Sequence, residues 1–122
     1  MTETRKNAKH ELIKYIERNN GVSFAEIEHV FDSIGYDYKG DICSSPAQYP
    51  HIIYWFGWND DAFDLLDEVK KEKNLQFEPA QQFIYLMDGK CLNLPIVKKL
   101  YQYKTDHWLP VVVTAKKRGL IK

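Results

Sequence analysis

The chain has 122 residues, of which 44% are hydrophobic, 14% aromatic and 28% charged, a composition that fits one compact domain (1–122) and excludes a disordered tail. Seventeen Lys plus Arg balance seventeen Asp plus Glu, which excludes a polycation that coats nucleic acid or anionic lipid and makes any such binding local. No apolar run approaches the roughly 20 residues of a membrane span and MTETRKNAKHE is too polar for a secretory signal, so a cytoplasmic protein without membrane insertion is expected.

Residues Ala8 to Asn19 set Leu12, Ile13 and Ile16 on one side and charged residues largely on the other, the pattern of an amphipathic helix, and Asn20-Gly21 stops it. In VSFAEIEHVFDSIG, Ser23 is followed three residues later by Glu26, the reciprocal capping box of a helix start. Val22 and Ile27 are placed as its hydrophobic staple, and Gly35 can supply the left-handed residue that ends the helix. Two short helices around a tight turn open many winged-helix domains, and many helical hairpins that bind nothing.

GYDYKGDICSSPAQYP reads as a long loop, and the aromatic and β-branched HIIYWFGW, residues 51 to 58, as one buried strand. Asn59 can cap a third helix over 60 to 73, with Asp60, Asp61 and Asp64 at its positive end and Lys70, Lys71 and Lys73 at its negative end. In QFIYLMDGKCLNLPIV, Asp88-Gly89 is the two-residue turn of a β-hairpin, so a wing is expected there. HWLPVVVT adds a short strand, which Pro110 places at an edge. The fold class is therefore α/β (α+β).

A weak internal repeat matches Phe24, Ile27 and Val30 with Phe63, Leu66 and Val69, and IIYWFG at 52 to 57 with FIYLMDG at 83 to 89. It divides the chain into halves 8–58 and 59–114, followed by a basic tail, 115–122. Such a duplication predicts an internal pseudo-dimer, two related helix and strand units whose strands pair centrally and whose helical units lie at opposite ends, in a monomer of internal pseudo-symmetry.

The capped pair GVSFAEIEHVF and the duplicated helix and strand unit, in a neutral chain of this length, resemble the TraN family of small accessory proteins of Gram-positive conjugative plasmid transfer. The resemblance rests on length, architecture and general character across the whole chain rather than on a signature motif. It implies an internal-dimer fold with a winged helix-turn-helix unit at each end, binding double-stranded DNA of the transfer region. Relaxosome or type IV secretion proteins are its implied further partners. No individual residue is carried over from that family.

Charge is unevenly distributed, and this locates the candidate DNA contacts. Residues 1–54 hold six basic and eight acidic groups and residues 55–88 three and eight, whereas from Lys98 onward seven basic residues face Asp106 alone. In KKLYQYK the cations Lys98, Lys99 and Lys104 interleave with Tyr101 and Tyr103, so groups able to reach phosphate sit beside rings able to pack on sugar or base. Lys116, Lys117 and Arg118 extend the basic end, whose other reading is a solvated tail. At the N-terminal end Arg5, Lys6, Lys9 and Lys14 are candidates for phosphate contact, with His29 and Ser33 on the helix that would approach the groove. Three aspartates at the start of the third helix would repel a DNA backbone, so that helix faces away or the segment 98–104 reads or clamps instead.

Catalysis has little support. His10, His29, His51 and His107 form no HExxH or other close ligand pattern, and Cys43 and Cys91 have neither CxxC nor zinc spacing, so no metal, no cofactor, no disulfide and no enzymatic activity are expected. The acids of 60–68 are read as a solvated face. The alternative to DNA binding is a protein adaptor that uses this acidic surface with exposed aromatics among Tyr36, Tyr38 and Tyr49.

Overall fold

Helix boundaries follow the local chemistry of their ends. The computed structural model describes residues 3–116. Helix α1, Glu3–Arg18, begins five residues before the expected Ala8 and buries Arg5, Ala8, Leu12 and Ile16 along one face. A two-residue strand, β1 (Val22–Ser23), leads directly into α2 (Phe24–Ser33). The Ser23 side chain accepts the Glu26 amide at 3.1 Å while the Glu26 carboxylate accepts the Ser23 amide at 2.9 Å, completing the expected capping box. At the other end the Gly35 amide reaches the Asp32 carbonyl and the Tyr36 amide the Phe31 carbonyl, with Gly35 at φ 71°, the bond pattern of a Schellman closure.

The stretch expected to be a loop contains β2 (Lys39–Ser44), an antiparallel partner of β4 (Trp55–Trp58). The expected strand over 51–58 is broken into β3 (Ile52–Ile53) and β4. Helix α3 (Asp60–Lys73) starts at the Asn59 cap, whose side chain accepts the Ala62 amide at 2.8 Å, and ends on Asn74 in the left-handed conformation. Strand β5 (Leu75–Pro79) follows without a loop.

Phe83–Met87, expected to be the first strand of a hairpin, is instead the short helix α4. Asp88 closes it and Gly89, at φ 69°, is the left-handed residue after the helix rather than the second residue of a hairpin turn. The segment that the repeat equates with the strand IIYWFG is therefore helical. HWLPVVVT forms two strands, β6 (His107–Trp108) and β7 (Val111–Ala115). Strand β6 pairs in parallel with β3, whereas β7 lies between β1 and β5, antiparallel to both. Pro110 thus precedes a central strand and not an edge one, and the ladder avoids its missing amide because Pro110 stands outside β7. The result is a mixed α/β fold of four helices and three small sheets among the described residues.

The core lies between the helices and the β1-β7-β5 sheet. Phe24 is its hub, stacked on Trp55 at 5.7 Å and meeting Trp58, Phe63 and Phe77 with inclined rings. Tyr36 and Tyr38, expected as exposed aromatics of an adaptor surface, are buried in this core and pack on Phe31, because the closure of α2 turns the chain inward there.

Two polar side chains bind the core to distant segments. The fully buried Tyr85 of α4 accepts the Phe24 amide at 3.0 Å and donates to the Val111 carbonyl at 2.6 Å, while burial pushes its pKa up. Glu28 of α2, also buried, accepts the indole N–H groups of Trp55 and Trp58 on Oε2 and the Lys90 ammonium on Oε1.

Candidate nucleic-acid interface

The segment 80–110 joins β5 to β7, and its second half is a loop held by a closed neck. The fully buried Trp108 donates its indole N–H to the Tyr54 carbonyl, its backbone amide bonds to the Pro95 carbonyl at 2.7 Å, and its own carbonyl accepts the Val97 amide at 2.9 Å. Next to it the His107 amide bonds to the His51 carbonyl at 2.8 Å. These bonds fix residues 97 and 107 beside one another, so the expected basic segment projects as a loop from a rigid base.

On that loop Lys98, Lys99, Tyr101 and Lys104 are exposed and Tyr103 is half-buried. The Tyr103 hydroxyl donates to the Lys99 carbonyl at 2.9 Å and accepts the Lys98 amide at 3.4 Å, which folds the loop back over its own ring. That ring stacks on His107 with centroids 3.9 Å apart and planes 20° apart, and Tyr101 meets Tyr103 edge-on at 5.2 Å. Lys99 Nζ lies 5.5 Å from the Tyr101 ring centre. The Gln102 side chain donates to the Gln48 carbonyl at 2.6 Å, anchoring the far side of the loop. Asp106 faces His51, Oδ1 to Nδ1 at 2.7 Å. Five of the expected contact residues therefore lie on one loop, and His107 and Gln102, absent from the expected set, hold it in shape. The only sequence signal for His107 was an aromatic ring four residues after Tyr103.

Lys116 belongs to a second cluster at the end of α3. With Lys70, Lys71, Asn74, Gln76 and Phe77 it lines a groove of about 540 Å³, and its amide bonds to the Asn74 carbonyl. Lys70 Nζ sits 3.6 Å over the Phe77 ring, and burial holds its pKa below the ordinary lysine value. Lys117 and Arg118 lie outside the described residues.

The N-terminal candidates divide differently. Arg5 is buried, with Nε 2.9 Å from Asp61 and Nη2 2.8 Å from Glu68. Lys9 pairs with Glu72 and, at 3.5 Å, with Glu68. Both cations, expected at phosphate, are thus engaged by carboxylates in the seam between α1 and α3. Lys14 is 3.6 Å from Glu11 on its own helix, and Lys6 is exposed. The acids of α3 stay solvent-accessible, as expected, but two of them, Asp61 and Glu68, with side chains 55% and 42% exposed, also serve this seam. The Tyr36 hydroxyl and Arg5 hold the Asp61 carboxyl below its ordinary pKa, and Arg5, aided by Lys9, does so for Glu68. Asp60, Asp64 and Asp67 remain on the outer side of α3.

Among the described residues no group of three or more His, Cys, Asp or Glu side chains is arranged to hold a metal ion. No described helix is long and apolar enough to cross a membrane. Cys43 and Cys91 are free and exposed. Comparison of the chain with protein-family models, curated proteins and solved structures finds no match to any of them.

Proposed function

We propose that the chain is a double-stranded DNA-binding module of winged helix-turn-helix type that grips phosphates with its wing. The observation that carries this reading is the connectivity. A winged helix runs helix, strand, helix, helix, strand, strand, with the last strand paired between the other two. Here α1, β1, α2, α3, β5 and β7 follow in that order, and the sheet order is β1-β7-β5. Residues 34–59 are then an insertion ahead of the third helix, and residues 80–110 the wing.

This reading uses one winged unit whose parts come from both halves of the chain, in place of the two units of a pseudo-dimer. It also assigns the groove contact. The outer side of α3 carries Asp60, Asp64 and Asp67, which oppose phosphate, whereas the wing presents Lys98, Lys99 and Lys104 from a braced loop. The resemblance to TraN supplies the setting we infer, an accessory or regulatory role in conjugative plasmid transfer.

Binding of the chain to a labelled duplex across a salt series tests the reading. A steep fall in affinity with rising salt is expected, because each phosphate contact releases counterions. Absence of duplex binding at low salt would overturn it. The second reading, a protein adaptor, is favoured by one observation: Phe83, Leu86 and Met87 expose an apolar face of α4. An apolar protein interface there would respond weakly to salt.

A further inference from the structure

We propose that the loop 98–107 is a stacking platform for an unpaired DNA base, so that the preferred ligand is a duplex carrying a single-stranded extension. This inference rests on the DNA-binding reading and narrows its substrate. Duplex binding draws its affinity chiefly from cations at phosphate spacing and does not require an ordered set of rings. The loop carries such a set, His107, Tyr103 and Tyr101, running outward from the buried neck at Trp108.

The rings differ in freedom. His107 is fixed by its backbone pairing with His51, and its Nδ1 lies 2.9 Å from the Thr105 carbonyl. Tyr103 is fixed by stacking on His107 and by two hydrogen bonds of its hydroxyl. Tyr101, at the outer end, is 55% exposed and bonds to neither neighbour through its hydroxyl among the described contacts. A ring so exposed, with Tyr103 against it edge-on and the Lys99 ammonium over it at 5.5 Å, offers a π-face to a base without first ordering a flexible side chain.

Cations and an apolar recess complete the surface. Lys99 beside the Tyr101 ring, with Lys98 and Lys104 on the same loop, can follow the phosphates of a strand whose base lies on that ring. Lys98, Lys99 and Leu100 also border a recess of about 570 Å³ with Ile96, Leu109 and Pro110. In a paired duplex the base faces are covered by their neighbours, so rings and recess can be used only by nucleotides outside the helix.

The test compares the full chain on a blunt duplex and on the same duplex with a short 3′ oligothymidine extension containing one 2-aminopurine. Tighter binding of the extended duplex and quenching of the 2-aminopurine are expected. Tyr101→Ala should remove about tenfold of affinity for the extended duplex, together with the quenching, and weaken blunt-duplex binding far less. Tyr101→Phe should retain both. Equal wild-type affinity for blunt and extended duplexes would overturn the platform while leaving the duplex reading intact. Equal loss on both probes in Tyr101→Ala would overturn it as well, since the ring would then serve duplex binding. Failure to bind either probe at low salt would overturn both proposals.

Discussion

Lys90 Nζ lies 2.6 Å from Glu28 Oε1, joining the segment after α4 to the buried side of α2 across 62 positions of sequence. The second carboxylate oxygen holds the Trp55 and Trp58 indoles, each at 2.9 Å. One side chain thus satisfies two buried donors and a cation. Glu28→Ala leaves all three unpaired and is expected to lower stability by about 3 kcal/mol. Lys90→Met, at a side chain 30% exposed, strips Oε1 of its cation while the two indoles keep Oε2, and should cost somewhat less, about 2 kcal/mol. Urea unfolding followed by tryptophan fluorescence measures both. A Glu28→Ala variant as stable as the parent would mean that the cluster does not hold α4 to the core.

How far the sequence disclosed this fold depended on the range of the interaction. Ser23 with Glu26, and Asn59 with Ala62, are pairs three residues apart, and the chemistry of each cap is complete within its own window. The polarity of α3 was legible for the same reason. FIYLMDG was not, because a short continuous apolar run suits a buried strand or a helix equally, and a left-handed glycine follows both. What decides for α4 is Tyr85, whose hydroxyl finds its partners at Phe24 and Val111. The candidate site divides along the same line. The cations of KKLYQYK were visible as charge, but the assignment of Arg5 to Asp61 and Glu68 needs two helices that are adjacent only after folding.

Tyr85→Phe provides a direct measure of that long-range bond. The substitution keeps the ring contacts with Trp55 and Trp108 and removes only the hydroxyl. The Phe24 amide and the Val111 carbonyl would then be buried without this partner. A loss of about 2 to 4 kcal/mol is expected, two backbone groups at about 1 to 2 kcal/mol each. Thermal unfolding of the variant gives the number, and a loss under about 0.5 kcal/mol would show that water or a shifted backbone satisfies both groups.

The Arg5 seam makes stability depend on pH in a defined direction. Asp61, held down by the Tyr36 hydroxyl and by Arg5, and Glu68, held down chiefly by Arg5, have folded pKa values below the ordinary 3.8 and 4.5. A carboxylate with a lowered folded pKa binds its proton more readily when unfolded. Its contribution is therefore complete above about pH 4.5 and is lost as the pH falls through the depressed values. Unfolding temperatures measured from pH 6 to pH 2.5 should fall in the acid range for the parent and fall less for Arg5→Met. Parallel curves for the two proteins would place the acid sensitivity elsewhere.

Two glycines are needed for different physical reasons, and alanine distinguishes them. A Cβ on Gly40 would stand 2.7 Å from the Trp58 carbonyl oxygen and 2.8 Å from the Asn59 backbone, so the β2-β4 pair must shift to admit it. Gly89 has open space around its Cβ position but sits at φ 69°. Gly40→Ala should cost about 2 kcal/mol through crowding, and Gly89→Ala about 1 kcal/mol through backbone strain alone. Equilibrium unfolding of the pair checks the order, and a Gly89 variant more damaged than the Gly40 variant would contradict it.

The division of basic residues between the α1-α3 seam and the loop 98–104, the proposed wing, gives the sharpest test of the proposed DNA-binding surface. Replacing Lys98, Lys99 and Lys104 together by Ala removes three exposed charges from the wing and touches no ion pair among the described residues. If each contacts one phosphate, the slope of log affinity against log salt should flatten by about 2.7, from roughly 0.9 per contact. Unrelated duplexes should weaken to a similar extent, since phosphates carry no sequence information. Lys9→Met is the matched control, because its charge is engaged by Glu72 and Glu68 and its loss should leave the salt slope unchanged while loosening α1 from α3. An unaltered slope in the triple variant, or a flattened one in Lys9→Met, would move the DNA surface away from the wing and toward the helical end of the molecule.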